Sequence, residues 1–161
     1  IIEYAIHRFI YHSKNTYTKY EYTIGSFHLF HYQYMSDLRV LNAGPVMIYA
    51  ASFILVAPIQ YIFSDWMISS GIVLGILCSY VFYECVHYLI HYKEFETGYL
   101  KFIQNYHFYH HEKAPLNNFG NTSPYLDIVL GTYDIGYKTF EMSDESFKSL
   151  ITSQSEKEVY A

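Results

Sequence analysis

Cysteine is nearly absent: the 161 residues contain two, Cys78 and Cys85. Both fall in one apolar segment, and their spacing on a helix sets them about 10 Å apart along the axis, beyond the reach of a disulfide. They read as packing residues and point to no oxidising compartment. No cluster of thiolates stands among the metal-ligating residue types, which excludes a cysteine-rich zinc or iron–sulfur site. Cationic charge is also scarce. Ten Lys and Arg stand against fifteen Asp and Glu, a net charge of −5, and this balance gives no reason to expect a nucleic-acid partner. Charge is missing altogether from residues 40–64 and 66–83, which Asp65 divides. No signal peptide is visible. The chain opens in mid-pattern on Ile1-Ile2-Glu3-Tyr4 without Met, which reads as a truncated N-terminus.

Aromatics are what the chain has in excess, with 20 Tyr and 12 Phe making up 20% of it. Such richness fits a membrane interface, where Tyr is favoured; compositional bias would look the same. Each uncharged run is long enough to span a bilayer, which takes about 20 apolar residues. Two buried helices of a soluble core are the alternative, but soluble helices seldom stay uncharged for so long. As spans, the runs form a tight hairpin turned at Ser64-Asp65-Trp66. Everything before and after them then lies on one side of the membrane. Arg8, Lys14, Lys19, Arg39, Lys93 and Lys101 flank that side while the turn carries only Asp65, which places it in the cytosol. As one helix, residues 66–91 measure about 39 Å against a hydrocarbon core of about 30 Å. The last two turns should project into the cytosol.

That side holds all nine histidines, in four clusters: His7 and His12; His28 and His31; His87 and His91; His107, His110 and His111. The first pair lies on a helix over 1–13, closed by Ser13-Lys14-Asn15-Thr16, with the two rings on adjacent faces. After a polar, tyrosine-rich stretch (14–25), residues 26–36 carry the second pair. Tyr80, Glu84, His87 and His91 form one helical stripe, on which Glu84 is placed to orient an imidazole through its second N–H. Tyr83, four residues before His87, either hydrogen-bonds near the site or anchors at the interface. A charged link (93–98) leads to a helix from about Tyr99 to Glu112. There Leu100 and Ile103 share a face with the last three histidines, as an acyl-chain groove or as plain packing. Pro115 ends that helix. Ser123 as N-cap and Pro124 at the first position begin a short one, which Gly131 closes. Asp127 on it serves either as a cap or as a group that orients a ligand. From Glu141 the chain reads as a solvated polar tail.

Neutral imidazole ligates iron, zinc and copper alike. Nine imidazoles exceed the four of one tetrahedral site, which argues for two metals. The expected fold is all-α: an integral membrane helical bundle with one transmembrane hairpin and a cytosolic histidine cap, over residues 1–140, followed by a polar tail at 141–161. A structural zinc site and an O2-activating pair of irons both remain open at this point.

Four boxes carry a resemblance. They are Glu3-Tyr4-Ala5-Ile6-His7-Arg8-Phe9-Ile10-Tyr11-His12, His28-Leu29-Phe30-His31, Tyr83-Glu84-Cys85-Val86-His87-Tyr88-Leu89-Ile90-His91 and His107-Phe108-Tyr109-His110-His111. With Phe119-Gly120-Asn121-Thr122-Ser123, Asp127 and Gly131-Thr132 downstream, the chain resembles the fatty acid hydroxylase/sterol desaturase superfamily of membrane di-iron enzymes. The resemblance covers about residues 2–133 and is greatest to the fatty acid (sphingolipid) 2-hydroxylases. It implies that all nine histidines ligate two irons, with zinc as a substitute metal, and that Glu84, Asp127 and Tyr83 act beside them. It implies hydroxylation of a long-chain acyl lipid at C2 with O2 and two electrons. The donor would be a protein such as cytochrome b5 acting in trans, or a domain in missing sequence, since no histidine here is left over for a haem. The location implied is integral to the membrane, the endoplasmic reticulum in a eukaryote. The alternatives are a sterol or acyl desaturase of the same superfamily, or a metal-binding membrane scaffold impaired in catalysis. One departure stands out: the family's second box usually ends in two adjacent histidines, and here Tyr32 follows His31.

Overall fold

The computed structural model describes residues 1–12, 24–35 and 45–150, and every regular element among them is helical. Helix α1 (Ile2–Ile6) runs into a π-helical turn at His7–Tyr11. Then come α2 (Ile24–Gln33), α3 (Pro45–Ile62), α4 (Trp66–Tyr92), α5 (Gly98–Glu112), α6 (Tyr125–Leu130), a 3-10 turn (Ile135–Lys138) and α7 (Asp144–Ser149). The expected stop at residues 13–16, the cations Lys14, Lys19 and Arg39, the beginning of the first uncharged run at 40–44 and the tail at 151–161 lie outside the described residues.

Asp65 explains where the hairpin turns. Its carboxylate accepts from the N–H groups of Met67 (2.7 Å) and Ile68 (3.2 Å) and so caps α4. Helices α3 and α4 pack together across this turn, and the Ser69 hydroxyl donates to Gln60 Oε1 at 2.5 Å between them. Among the described residues, α4 is the helix long and apolar enough to cross a membrane. Only 6% of its most apolar window is buried, and Leu74, Val81 and Phe82 point outward. A core helix of a soluble protein would be covered there; an apolar surface of this kind suits lipid. Cys78 and Cys85 are also exposed. The packing role expected for them is not realised, because they face outward on a helix whose contacts lie at its ends.

Apart from Ser69 near its start, the buried residues of α4 lie in its last turns, at Val86, His87, Ile90, His91 and Tyr92. Val86 and Ile90 meet Ile103 of α5, with Leu100 and Phe102 packed against them. Of the two readings of the Leu100/Ile103 face, plain packing is the one realised. Gln104 then ties α5 to the end of α4. Its Nε2 donates to the Ile90 and Lys93 carbonyls, both at 2.7 Å, groups that a helix C-terminus leaves without intrahelical partners.

The segment after α5 is fixed by three side chains. Asn118 sits at φ 59, a left-handed backbone that Asn tolerates better than most residues. Its side chain exchanges hydrogen bonds with the Asp134 backbone (Oδ1 from N–H, 2.7 Å; Nδ2 to C=O, 3.1 Å). Asp127 accepts from the N–H groups of Phe119 (2.9 Å) and Gly120 (2.8 Å) and from the Thr132 hydroxyl (2.7 Å). Glu3 accepts from the N–H groups of Asn121 (2.5 Å) and Thr122 (2.9 Å) and from the Thr122 hydroxyl (2.6 Å). Helix α6 starts one residue later than expected: Pro124 is its N-cap, and Ser123 Oγ accepts from the Tyr125 N–H at 3.2 Å. Gly131, at φ 72, ends it as expected. Beyond residue 141, α7 is capped by Ser143 and leads to the buried Leu150.

Gly120 marks the tightest point of this loop. A Cβ there would run into the Ser123 carbonyl oxygen and approach Asp127 Oδ2. Gly120→Ala is therefore expected to destabilise the protein by about 1–3 kcal/mol, the usual cost of overpacking. A lowered melting temperature in detergent checks this; an unchanged one would show that the loop gives way freely.

Candidate metal centre

The π-helical turn is the first device of the site. On an α-helix, residues five apart are rotated by about 140°, too far to share a target. The π turn closes instead with the His12 N–H donating to the His7 carbonyl at 3.1 Å, a hydrogen bond that itself runs five residues. It brings the two rings to 5.1 Å. The adjacent faces expected for a regular helix thus become one face.

Eight histidines form two groups of four. His7, His12, His28 and His110 make the first, and His31, His87, His91 and His107 the second; within each, one nitrogen per ring lies within 4.8 Å of the others. Helices α2 and α5 serve both groups. On α2, His28 enters the first and His31 the second; on α5, His110 enters the first and His107 the second. Helix α4 supplies only the second group, and the π turn only the first. The groups adjoin, with the His28 and His31 rings 6.0 Å apart and those of His107 and His110 6.3 Å apart. His111 belongs to neither set of four. Its ring lies between them, 4.4 Å from His107, 5.0 Å from His31, 5.7 Å from His110 and 6.3 Å from His28.

The loop after α5 sets ring orientation in the first group. His7 Nδ1 is 2.6 Å from the Phe119 carbonyl and His110 Nδ1 is 2.5 Å from the Asn117 carbonyl. A carbonyl only accepts, so each Nδ1 carries the proton and each Nε2 presents a lone pair to the centre. The two carbonyls flank Asn118, and Asp127 holds the N–H groups of Phe119 and Gly120. Asp127 thus reaches the histidines through the backbone rather than by touching them. A relay ties it to the π turn: Arg8 donates to the Tyr4 hydroxyl (2.7 Å), Tyr4 to Thr132 Oγ1 (2.7 Å), and Thr132 to Asp127 (2.7 Å). Tyr83 stacks on His87 with centroids 5.5 Å apart, and its hydroxyl accepts from Asn121 Nδ2 at 3.5 Å. Glu84 accepts a hydrogen bond from Tyr80 one turn earlier.

The donor set fits metal ions. The Nε2 atoms of His7 and His28, and of His12 and His28, are 3.1 Å apart; those of His91 and His107 are 2.9 Å apart. Two ligands each about 2.1 Å from one ion stand about 3.0–3.4 Å apart. Both ring nitrogens of His31, His87 and His111, and Nδ1 of His91 and His107, are buried without a hydrogen-bond partner among the described residues. Desolvation holds the imidazoles in their neutral, ligating form. It pushes His12 down to about 4 and His31 and His110 to about 3, and it holds His7, His28, His107 and His111 well below the ordinary value of 6.5. Sequence reasoning found every histidine but missed the Asn117 and Phe119 carbonyls and Glu3. Backbone acceptors leave no side-chain signature; the one available signal was the pair Asn117-Asn118, prone to a left-handed turn.

Stripping metal would leave this centre desolvated and unpaired, so binding and stability are linked. Chelation is expected to lower the melting temperature of the detergent-purified protein, and iron(II) or zinc to restore it. A melting temperature indifferent to both would refute the metal reading of these groups.

Comparison with known proteins agrees with this geometry. The fatty acid hydroxylase family profile matches residues 1–132. The ceramide very long chain fatty acid hydroxylase scs7 of Schizosaccharomyces pombe is 29% identical over 149 residues, covering 82% of this chain and 39% of that protein. The dihydroceramide fatty acyl 2-hydroxylase FAH2 of Arabidopsis thaliana is 28% identical over 138 residues, covering 82% of this chain and 55% of that protein. The chain thus spans about half or less of the length of these relatives. No solved structure matches it. With its four boxes gathered into two histidine groups beside a membrane-length helix, the chain belongs to the fatty acid hydroxylase family.

Proposed function

We propose that the chain forms the catalytic part of a membrane-bound two-iron hydroxylase that places a hydroxyl on C2 of a long-chain acyl lipid. The observation that carries this reading is the pair of adjoining all-imidazole groups, eight nitrogen donors and no carboxylate, in a member of this family. Support for C2 comes from the relative named a fatty acyl 2-hydroxylase. Two irons, when bound, would supply the redox chemistry: O2, two electrons and two protons in, one hydroxyl on carbon and one water out.

The protein's own residues do the rest. The π turn, α2 and α5 hold the first ion, and α2, α4 and α5 the second. His111 stands between the two, its ring nitrogens without a hydrogen-bond partner among the described residues, and would offer one lone pair to either ion. The Asn117 and Phe119 carbonyls fix the tautomers of His110 and His7, and Asp127 fixes that loop. Tyr83 holds His87 flat by stacking, and Glu84 with Tyr80 braces the turn of α4 just before it. Such supports keep ligands at their working distances and are as much a part of a metal site as the ligands. Burial of the two groups excludes water from the reacting carbon. Among the described residues, a cleft of about 370 Å³ lined by Arg8, Phe9, Leu116 and Phe119 reaches His12 and offers a path to the first group. Reduction falls to a donor such as cytochrome b5, acting on the histidine side, which we place in the cytosol and, in a eukaryote, at the endoplasmic reticulum.

The test is product analysis. Expressed in cells lacking their own acyl 2-hydroxylase, the protein is expected to yield lipids whose acyl chains carry one added oxygen at C2, located by fragmentation mass spectrometry. His87→Ala and His111→Ala should each abolish the product. A new double bond instead of a hydroxyl would make the protein a desaturase. No product from an iron-loaded protein supplied with a reductant would leave it a scaffold.

A further inference from the structure

The second histidine box ends in Tyr32 rather than histidine, and the structure shows where that side chain goes. Its phenol oxygen lies 2.5 Å from His110 Nε2 and 3.3 Å from His12 Nε2. Both residues belong to the first group. His110 has its Nδ1 engaged by the Asn117 carbonyl, so the nitrogen facing Tyr32 is the one that carries the lone pair. The Tyr32 ring is fixed as well, stacked on His111 with centroids 4.0 Å apart and planes 18° apart. One oxygen thus faces two ring nitrogens of the first group: its 3.3 Å separation from His12 Nε2 matches that of two ligands sharing an ion, about 3.0–3.4 Å, and the 2.5 Å contact with His110 Nε2 is shorter.

We infer that Tyr32 is a ligand of the first metal, through its phenol oxygen. This deepens the two-iron reading above and rests on it. On coordination the O–H bond breaks, an O–metal bond forms, one proton leaves to solvent, and no electron is transferred. The two ions then differ in kind: four imidazoles and a phenolate around the first, imidazoles alone around the second. A phenolate is anionic and hard, so it stabilises iron(III) over iron(II) relative to imidazole. The pair is built unequal, with the first iron the easier to oxidise. On this reading the substitution changes the site's electronics without emptying it.

Phenolate bound to iron(III) has a signature that activity does not share: a visible charge-transfer band, with tyrosinate ring modes enhanced on exciting into it. The experiment loads the purified full chain with iron(II), oxidises it with ferricyanide, and records absorption, resonance Raman and iron content. The wild type is expected to show the band. Tyr32→Phe and Tyr32→His should lose it while still binding iron, and should bind alike if the oxygen matters only to the colour and potential of the site. Tyr11→Phe is the control among twenty tyrosines, since the Tyr11 ring stacks on His28, 4.8 Å between centroids; it should keep the band. Should Tyr32→Phe fail to fold, Tyr32→His carries the test alone. Two bound irons without the band in the wild type, or a band that survives both Tyr32 substitutions, would overturn the Tyr32 ligand and leave the two-iron reading intact. A wild type that binds no iron would overturn both.

Discussion

Eight buried imidazoles and a ninth, His12, half-buried beside them, without a single carboxylate among them, are the constraint on which the rest of this structure depends. Eight ring nitrogens of His31, His87, His91, His107 and His111 have no hydrogen-bond partner among the described residues. An unsatisfied buried polar group costs roughly 1–3 kcal/mol in proteins, and the net stability of a domain is about 5–15 kcal/mol. A protein carrying that many such groups needs something that repays them. Charging the rings does not help, because desolvation opposes it and neighbouring imidazolium ions would repel. A metal ion satisfies several lone pairs at once and asks for the neutral ring that burial already enforces. A metal bound there would be as much a part of the packing as the core around Ile90 and Ile103.

Everything else in the fold can be read as a device for bringing the rings together. Helices α2 and α5 each send one ring into each group from positions three residues apart, so a shift of either helix disturbs both groups together. The π turn compresses a five-residue spacing onto one face. The loop after α5 has no ligand of its own, yet it decides which nitrogen of His7 and His110 faces the centre. Glu3, Asn118 and Asp127 hold that loop from three sides. The membrane-length helix α4 stays exposed along most of its apolar window and, apart from Ser69 at its start, becomes buried where it reaches the histidines.

Much of this was legible in the sequence. The uncharged runs, the Asp65 turn, the helix ending near Glu112, the αL glycine at 131 and all nine histidines follow from charge, capping and spacing. What escaped has a physical reason in each case. The π turn at His7–Tyr11 lies outside helical periodicity, because pattern reading assumes 3.6 residues per turn. The Asn117 and Phe119 carbonyls are backbone groups, present at every position and so silent in any motif. Asp127 looked like a direct neighbour of the ligands or a simple cap; it acts through the loop backbone, a difference set by tertiary contacts alone. The face of Leu100 and Ile103 had two readings of equal period, and packing against Val86 and Ile90 decided between them. Cys78 and Cys85 sit on a helix with a lipid-facing side, where apolar character marks the surface rather than the core.

The central claim is that the two histidine groups are two metal sites. Elemental analysis of the detergent-purified full chain, expressed in iron-supplemented cells, tests it most directly. The account predicts about two irons per chain, by the count of donors against the four of one tetrahedral site. A single ion per chain, or zinc alone despite abundant iron, would contradict it.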